Sequence, residues 1–405
     1  MDKLPKGWKL YQFDEIANFI DYRGYTPTKI DSGVQLITAK NVRVGFLNIE
    51  PREFISEDEY KVRMTRGFPH NGDVLFTTEA PLGYAAILDL NYKVAIGQRL
   101  ITLHAKNNNY TSKFLLYSLL STQFQKELFE KATGTTVKGI KSSILKKFQI
   151  PLPNIQEQTR IVAKLEALFT RIDKSIILLE ENIKHTKGLM ASVLEQMFEK
   201  LKSESTIYKI KEIAEIKGGK RLPKGESIQD EKTDYPYIRV TDFTNDGTID
   251  VNSVKYMTQS VHEQIKRYII TSKDLYISIA GTIGKTGIIP KELENANLTE
   301  NAARLVFKSN LKINNRFVYY FTLSDNFKDQ VGLATKIVAQ PKLALTRLAE
   351  VELPIPSIEI QNKEVMVFDE LSRKFQEINS EQLSKLAYLK ALKSSILDRA
   401  FKGEL

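Results

Sequence analysis

The apolar positions of this chain change their period three times. Residues 1–153 and 204–356 carry short β-like runs: VQLITAK, DVLFTT and RLITLHA in the first stretch, YPYIRV, LYISIA and RLVFK in the second. Gly, Asn and Asp punctuate them. Each stretch also holds an apolar segment at helical spacing, FLLYSLLSTQFQKELF and FVYYFTLSDNF. Residues 154–203 and 357–405 follow another rule. Ile161, Leu165, Leu168, Ile172, Ile176, Leu179 and Ile183 step by three or four and form one stripe. Val365, Phe368, Leu371, Phe375, Ile378, Gln382, Leu386 and Leu389 do much the same. Neither segment contains an internal proline, so each predicts one long helix.

A lone amphipathic helix of that length is stable only when its stripe is covered. Two in one chain most simply cover each other. The order globule, helix, globule, helix lets them pack antiparallel with pseudo-two-fold symmetry. The alternative is that each helix folds back on its own globule. The expected architecture is α+β: two similar α/β-mixed domains separated by two long antiparallel coiled-coil helices. On this reading Leu165, Leu168, Ile172, Ile176, Phe368, Leu371 and Phe375 form the helix–helix core.

The two halves are diverged copies of one unit. YQFDEIANFIDYRG from Tyr11 resembles YKIKEIAEIKGGKR from Tyr208, and GDVLFTTEAPLGYAAI from Gly72 resembles KDLYISIAGTIGKTGI from Lys273. QRLI at Gln98 pairs with ARLV at Ala303, which sets Arg99 opposite Arg304. IPLPNIQEQ pairs with LPIPSIEIQ, and ASVLEQMF at Ala191 with SSILDRAF at Ser394. Order and spacing hold throughout, as in a single duplication rather than a solenoid.

The duplication decides the chemistry of one suggestive loop. GTIGKTG, residues 281–287, has the residue types of a phosphate-binding loop. The spacing G-x-x-x-x-G-K-[ST] fails, because Ile279 stands where the first glycine belongs. Its copy, APLGYAA at residues 80–86, keeps Gly83 but has neither the lysine nor the threonine. A strand–turn–strand survives that change; a phosphate cradle does not. What varies is the tip, Tyr84 in one copy and Lys285 in the other, as suits two binding surfaces of different specificity.

Composition narrows the remaining classes. The 405 residues contain no cysteine, which removes disulfides and thiolate metal sites. The four histidines, at 70, 104, 185 and 262, show no ligand spacing, so no metal is expected. No apolar leader opens the sequence and no run is long enough to span a bilayer, so a cytoplasmic protein without membrane contact is expected. The net charge of +10 is compatible with a polyanionic partner. No nucleotide fingerprint, Asn-Pro-Pro-aromatic segment or Pro-Asp nuclease start is present. No catalytic residue and no cofactor are therefore expected.

The order of elements, the duplication, the helix entry PLPNIQEQTRIVAKLEAL and the endings ASVLEQMFEKL and SSILDRAFKGEL resemble the specificity subunits of Type I restriction–modification systems. The resemblance covers essentially the whole chain; the second entry, PIPSIEIQNKEV, keeps only Gln361 of the Glu-Gln pair. It implies two target recognition domains, 1–153 and 204–356. Each would read half of an interrupted site on double-stranded DNA. It implies that the helices, 154–203 and 357–405, act as spacer and as docking surface for two modification (methyltransferase) subunits, with restriction subunits joined through them. In that family adenine methylation, with S-adenosylmethionine, and ATP use belong to the partners.

Base reading needs Arg, Lys, Asn, Gln or short hydroxyls on loops that reach a groove. In the first domain the candidates are Arg23, Lys40, Asn41, Arg43, Thr77, Thr78, Tyr84, Gln98 and Arg99; in the second, Lys220, Arg221, Lys224, Arg239, Thr241, Ser278, Lys285, Asn301 and Arg304. Arg99 and Arg304, matched in both copies, suit phosphate contact or a role in the fold better than base choice. Other readings stay open at this point: a DNA scaffold without sequence preference, a silent or exchangeable specificity subunit, or a hydrolase around Lys285.

Overall fold

In each half of the chain, one strand alternates its side chains between two cores. The computed structural model describes residues 4–22, 26–332 and 342–405. On strand Val74–Thr77, Val74 and Phe76 face a core shared with helices, while Leu75 faces a second core. On strand Leu275–Ser278, Leu275 and Ile277 face one core and Tyr276 the other. Period-two alternation delivers both faces to apolar partners, so these strands read as unbroken apolar runs.

The chain divides into two units, Met1–Glu180 with Ser384–Leu405, and Glu181–Leu383. In the first, strands Ala17–Asp21, Leu100–Ala105, Val74–Thr77 and Ala85–Ile87 form an antiparallel sheet in that order. A second sheet places Val34–Ile37 between Phe54–Ile55 and, in parallel, Val94–Ile96. Lys9–Gln12 pairs with Gln149–Leu152 and so brings the start of the domain to the entry of the long helix. The second unit repeats this plan. Its first sheet runs Ala214–Gly218, Ala302–Phe307, Leu275–Ser278, Thr286–Gly287. Its second holds Pro236–Ile238 beside Ala296–Leu298, and Thr206–Lys209 pairs with Glu352–Ile355. This is an α+β fold built twice.

The long helices are Ile155–Lys202 and Ile358–Phe401. Within the first unit they run antiparallel: Arg160 reaches the Leu405 carbonyl at 2.7 Å, Asp173 pairs with Lys393 at 2.7 Å, and Glu180 pairs with Lys390 at 3.2 Å. Within the second, Gln382 donates to Thr186 at 3.2 Å and Phe198 stacks on Phe368. Each stripe is also covered by a domain. Leu165, Phe169, Leu397 and Phe401 join the core of Trp8 and Phe114; Leu194, Phe198, Val365 and Phe368 join that of Phe317 and Phe321. The two coverings weighed from sequence therefore coexist. Of the proposed helix–helix core, Leu165, Ile172 and Phe368 are buried, and Leu168, Ile176, Leu371 and Phe375 are half-buried. Among the described residues no helix is long and apolar enough to cross a membrane.

Candidate nucleic-acid interface

The turn that suggested a phosphate loop is the same turn in both domains. Thr77 N donates to the Tyr84 carbonyl, and Ser278 N to the Lys285 carbonyl, both at 2.8 Å. Gly83 N closes on Thr77 O at 3.0 Å and Gly284 N on Ser278 O at 2.9 Å. The hydroxyl of Thr77 accepts from Tyr84 N, and that of Ser278 from Lys285 N, again both at 2.8 Å. Gly83 and Gly284 adopt positive φ, which explains why the glycine persists while its neighbours change. At the tip, Tyr84 leans on the second core of its domain, whereas Lys285 Nζ donates to the Phe243 carbonyl at 3.1 Å.

A second loop pair frames the same end of each domain. Asn41 is fully buried and its side-chain Oδ1 accepts from Thr38 N at 2.9 Å; Asp242, also buried, accepts at its carboxylate from Arg239 N at 2.8 Å. The substitution adds charge, and Arg239 answers it with a guanidinium contact to Asp242 at 2.6 Å.

The ladder corrects one pairing taken from sequence. Thr78 N donates to Arg99 O, and Ile279 N to Asn301 O. Thr77 sits opposite Leu100, and Ser278 opposite Ala302. Arg99 therefore corresponds to Asn301 and Gln98 to Glu300, while Arg304 corresponds to Thr102. Arg304 is buried near Asp274, 3.9 Å away, and burial pushes its guanidinium below the usual range, with Asp274 partly offsetting the fall. It cannot share the role of the exposed Arg99.

The remaining candidates fall into distinct groups. Arg23 lies outside the described residues. Asn41, Thr77, Thr78 and Ser278 are buried with their side chains committed to internal hydrogen bonds, so they hold the loops rather than face a groove. Arg43 is half-buried and donates to the Lys40 carbonyl at 2.5 Å. Exposed heads belong to Lys40, Arg99, Lys220, Arg221, Lys224, Thr241 and Asn301. Most of the cations are paired: Lys40 with Glu53, Arg99 with Glu79 at 3.0 Å, Arg221 with Glu300 at 2.7 Å, and Lys220 over the Tyr268 ring. Burial alone would raise the Glu300 carboxyl, but hydrogen bonds led by Arg221 hold it below the usual carboxylate range.

The fold gathers these groups around two cavities that flank equivalent steps of chain. Thr78, Gln98 and Arg99 line one of about 350 Å³. Arg221, Arg239, Thr241 and Asn301 line one of about 410 Å³. The first cavity adds a segment that sequence reasoning missed, Thr133–Lys141. It is held by Ile140 N to Thr78 O at 3.0 Å and by a bridge between Glu79 and Gly139. Gly134 sits at positive φ, where a Cβ would meet the Val137 carbonyl at 2.1 Å. Its composition, TGTTVKGIK, was the available signal: glycines, hydroxyls and lysines are backbone-contacting types for a polyanion.

Comparison with known proteins agrees with this duplicated plan. The profile of the family described as Type I restriction modification DNA specificity domain matches residues 5–183 and again 202–388. The Type I restriction enzyme EcoBI specificity subunit of Escherichia coli is 27% identical over 76% of this chain and 69% of its own. The MjaIX specificity subunit of Methanocaldococcus jannaschii is 23% identical over 100% of this chain and 94% of its own. Two solved structures share the fold. One, from work on complex assembly and conformational transition of the type I R-M system, has a TM-score of 0.81 at 21% identity with both chains fully covered. The other, the HsdS subunit from Thermoanaerobacter tengcongensis, has a TM-score of 0.55 at 20% identity, covering 100% of this chain and 98% of that one.

Proposed function

This chain belongs to the Type I restriction modification DNA specificity family, as a specificity subunit with two target recognition domains; from that premise we propose that it is a non-catalytic reader of a bipartite DNA site. Each domain reads one half-site with the loop end built by the Thr77–Tyr84 turn or the Ser278–Lys285 turn. The observation that carries this reading is the identical hydrogen-bonded frame under different tips: Tyr84 against Lys285, and Arg99 against Asn301. A frame held constant while the side chains it carries change is what two readers of different sequences require.

The helices would dock two methyltransferase subunits, and through them restriction subunits. Support comes from the relative solved in work on assembly of a type I system. Base flipping and methyl transfer would then take place in the partner. The setting would be the cytoplasm.

The direct test is to map methylated adenines in the host with and without this gene. An interrupted two-part motif that vanishes on deletion supports the reading. An unchanged pattern from a chain that assembles with its methyltransferase overturns it. Exchange of residues 1–153 for another family member's domain should change one half of that motif and leave the other.

A further inference from the structure

Two of the four histidines, remote in sequence, meet in the first domain beside a buried carboxylate. His104 Nδ1 lies 2.7 Å from Asp73 Oδ1, and His70 Nδ1 lies 3.8 Å from Asp73 Oδ2. One ligand atom from each residue can be chosen so that all three lie within 4.8 Å of one another. We propose that His70, Asp73 and His104 form a binding site for a divalent transition-metal ion of the zinc class.

The donor set and its setting fit such an ion. Two imidazoles and one carboxylate suit zinc, cobalt, nickel or copper rather than magnesium or calcium, which prefer oxygen. Zinc holds nitrogen and oxygen donors at about 2.0–2.2 Å. Both imidazole rings are at least partly exposed, which leaves them room to turn toward a shared ion. Asp73 is the fixed member: it is buried, and its carboxylate accepts from His70 N at 2.8 Å. Three protein donors leave a coordination position open to water.

The second domain serves as an internal control. It keeps the same turn, with Thr271 N donating to Asp274 at 2.9 Å and Asp274 N returning to Thr271 O at 3.0 Å. Thr271 stands where His70 does, and Val306 where His104 does. The turn therefore needs the aspartate but neither imidazole, and both imidazoles occur only in the copy that also has the other. Among the described residues the hydroxyl of Tyr110 has no hydrogen-bond partner; besides its burial it feels the negative charge of Asp73, which a bound cation would offset.

The site lies at the opposite end of strand Val74–Thr77 from the reading turn. It adjoins the seam with the long helix, since Ser112 Oγ donates to Gly72 O and Thr111 N donates to Gln158. A bound ion would stiffen that seam and leave the reading loops untouched.

The test uses the full chain without a polyhistidine tag, stripped with chelator and titrated with Co²⁺ by absorption and with Zn²⁺ by calorimetry. The expected result is one equivalent of Co²⁺ with a visible d–d band, displaced by Zn²⁺, and a thermal midpoint that rises with Zn²⁺. The double variant His70→Thr/His104→Val takes its residues from the equivalent positions of the second domain, Thr271 in the turn and Val306 on the strand Ala302–Phe307, so the frame tolerates them. It should bind at least about 100-fold more weakly, at or beyond the roughly 10–100-fold that follows loss of a supporting residue, and its midpoint should not respond. His185→Ala, on the exposed face of the first long helix, should bind as the parent does. A parent chain that takes up no equivalent, or a folded double variant that binds equally well, overturns the proposal.

Discussion

Gln158 and Gln361, each at the entry of a long helix, make the same three hydrogen bonds. Gln158 accepts from Thr111 N at 2.9 Å and donates to Asn109 O and Pro153 O, both at 3.0 Å. Gln361 accepts from Asn314 N at 2.9 Å and donates to Lys312 O at 3.1 Å and Pro356 O at 2.9 Å. Both side chains are fully buried, so each locks its domain to the helix that follows it. Truncation to alanine leaves three backbone groups without partners, each worth about 1–3 kcal/mol if it stays dry. Gln158→Ala or Gln361→Ala should destabilise the chain by about 3 kcal/mol in urea unfolding. Native-state hydrogen exchange should quicken at Thr111 or Asn314 respectively. A variant with parental exchange at that amide would show the lock to be dispensable.

The far ends of the helices repeat a second lock. Asp398 accepts from Thr122 N at 2.9 Å, and Glu195 accepts from Asn326 N at 3.1 Å. In each case a carboxylate meets the first turn of a domain helix, Thr122–Lys131 or Asp325–Gln330, where the helix dipole favours negative charge. Asp398→Ala and Glu195→Ala should each cost about 1 kcal/mol. Since one residue belongs to each unit, the double variant should lose the sum of the two within about 0.5 kcal/mol.

Acid stability should carry the mark of Glu350. Hydrogen bonds from Lys209 and Lys211 lower its carboxyl from 4.5 to about 2. A carboxyl lowered in the folded state binds protons more readily when unfolded. Its contribution is complete above 4.5 and disappears as the pH falls from there to about 2. The group is exposed, so salt should shrink the effect. Glu350→Gln should flatten the acid limb of a stability–pH profile in low salt and change it little in high salt.

How much of this was legible in sequence varied with the kind of feature. The duplication, the two stripes and the strand–turn–strand under GTIGKTG were legible because periodicity and order survive divergence. The role of Gln361 was not, although it stood out as the one residue kept from the Glu-Gln pair: a buried amide looks like any polar helix residue until its partners are known. Asn41, Thr77 and Ser278 have groove-reading chemistry but spend it on the backbone of their own loops. His70 and His104 are brought together by the pairing of distant strands, which no local spacing encodes.

The misplaced arginine pair supplies the sharpest test of the interface. Matching Arg-Leu at Arg99 and Arg304 slid one strand past its true register, because a shared dipeptide outweighed the alternation around it. In the structure Arg99 leaves half its side chain exposed, and Arg304 a tenth. The two should therefore fail in different ways. Arg99→Ala should weaken binding to a duplex carrying the methylation motif and lower the slope of log affinity against log salt by about one, with the thermal midpoint unchanged. Arg304→Ala strands Asp274 in the interior without its cation and should cost about 3 kcal/mol, while the sequence preference of the protein that remains folded is kept. Anisotropy titrations at several salt concentrations, read beside melting curves, separate the two. If Arg304→Ala instead reduced the salt slope at full stability, the pairing drawn from sequence would be right and the strand register wrong.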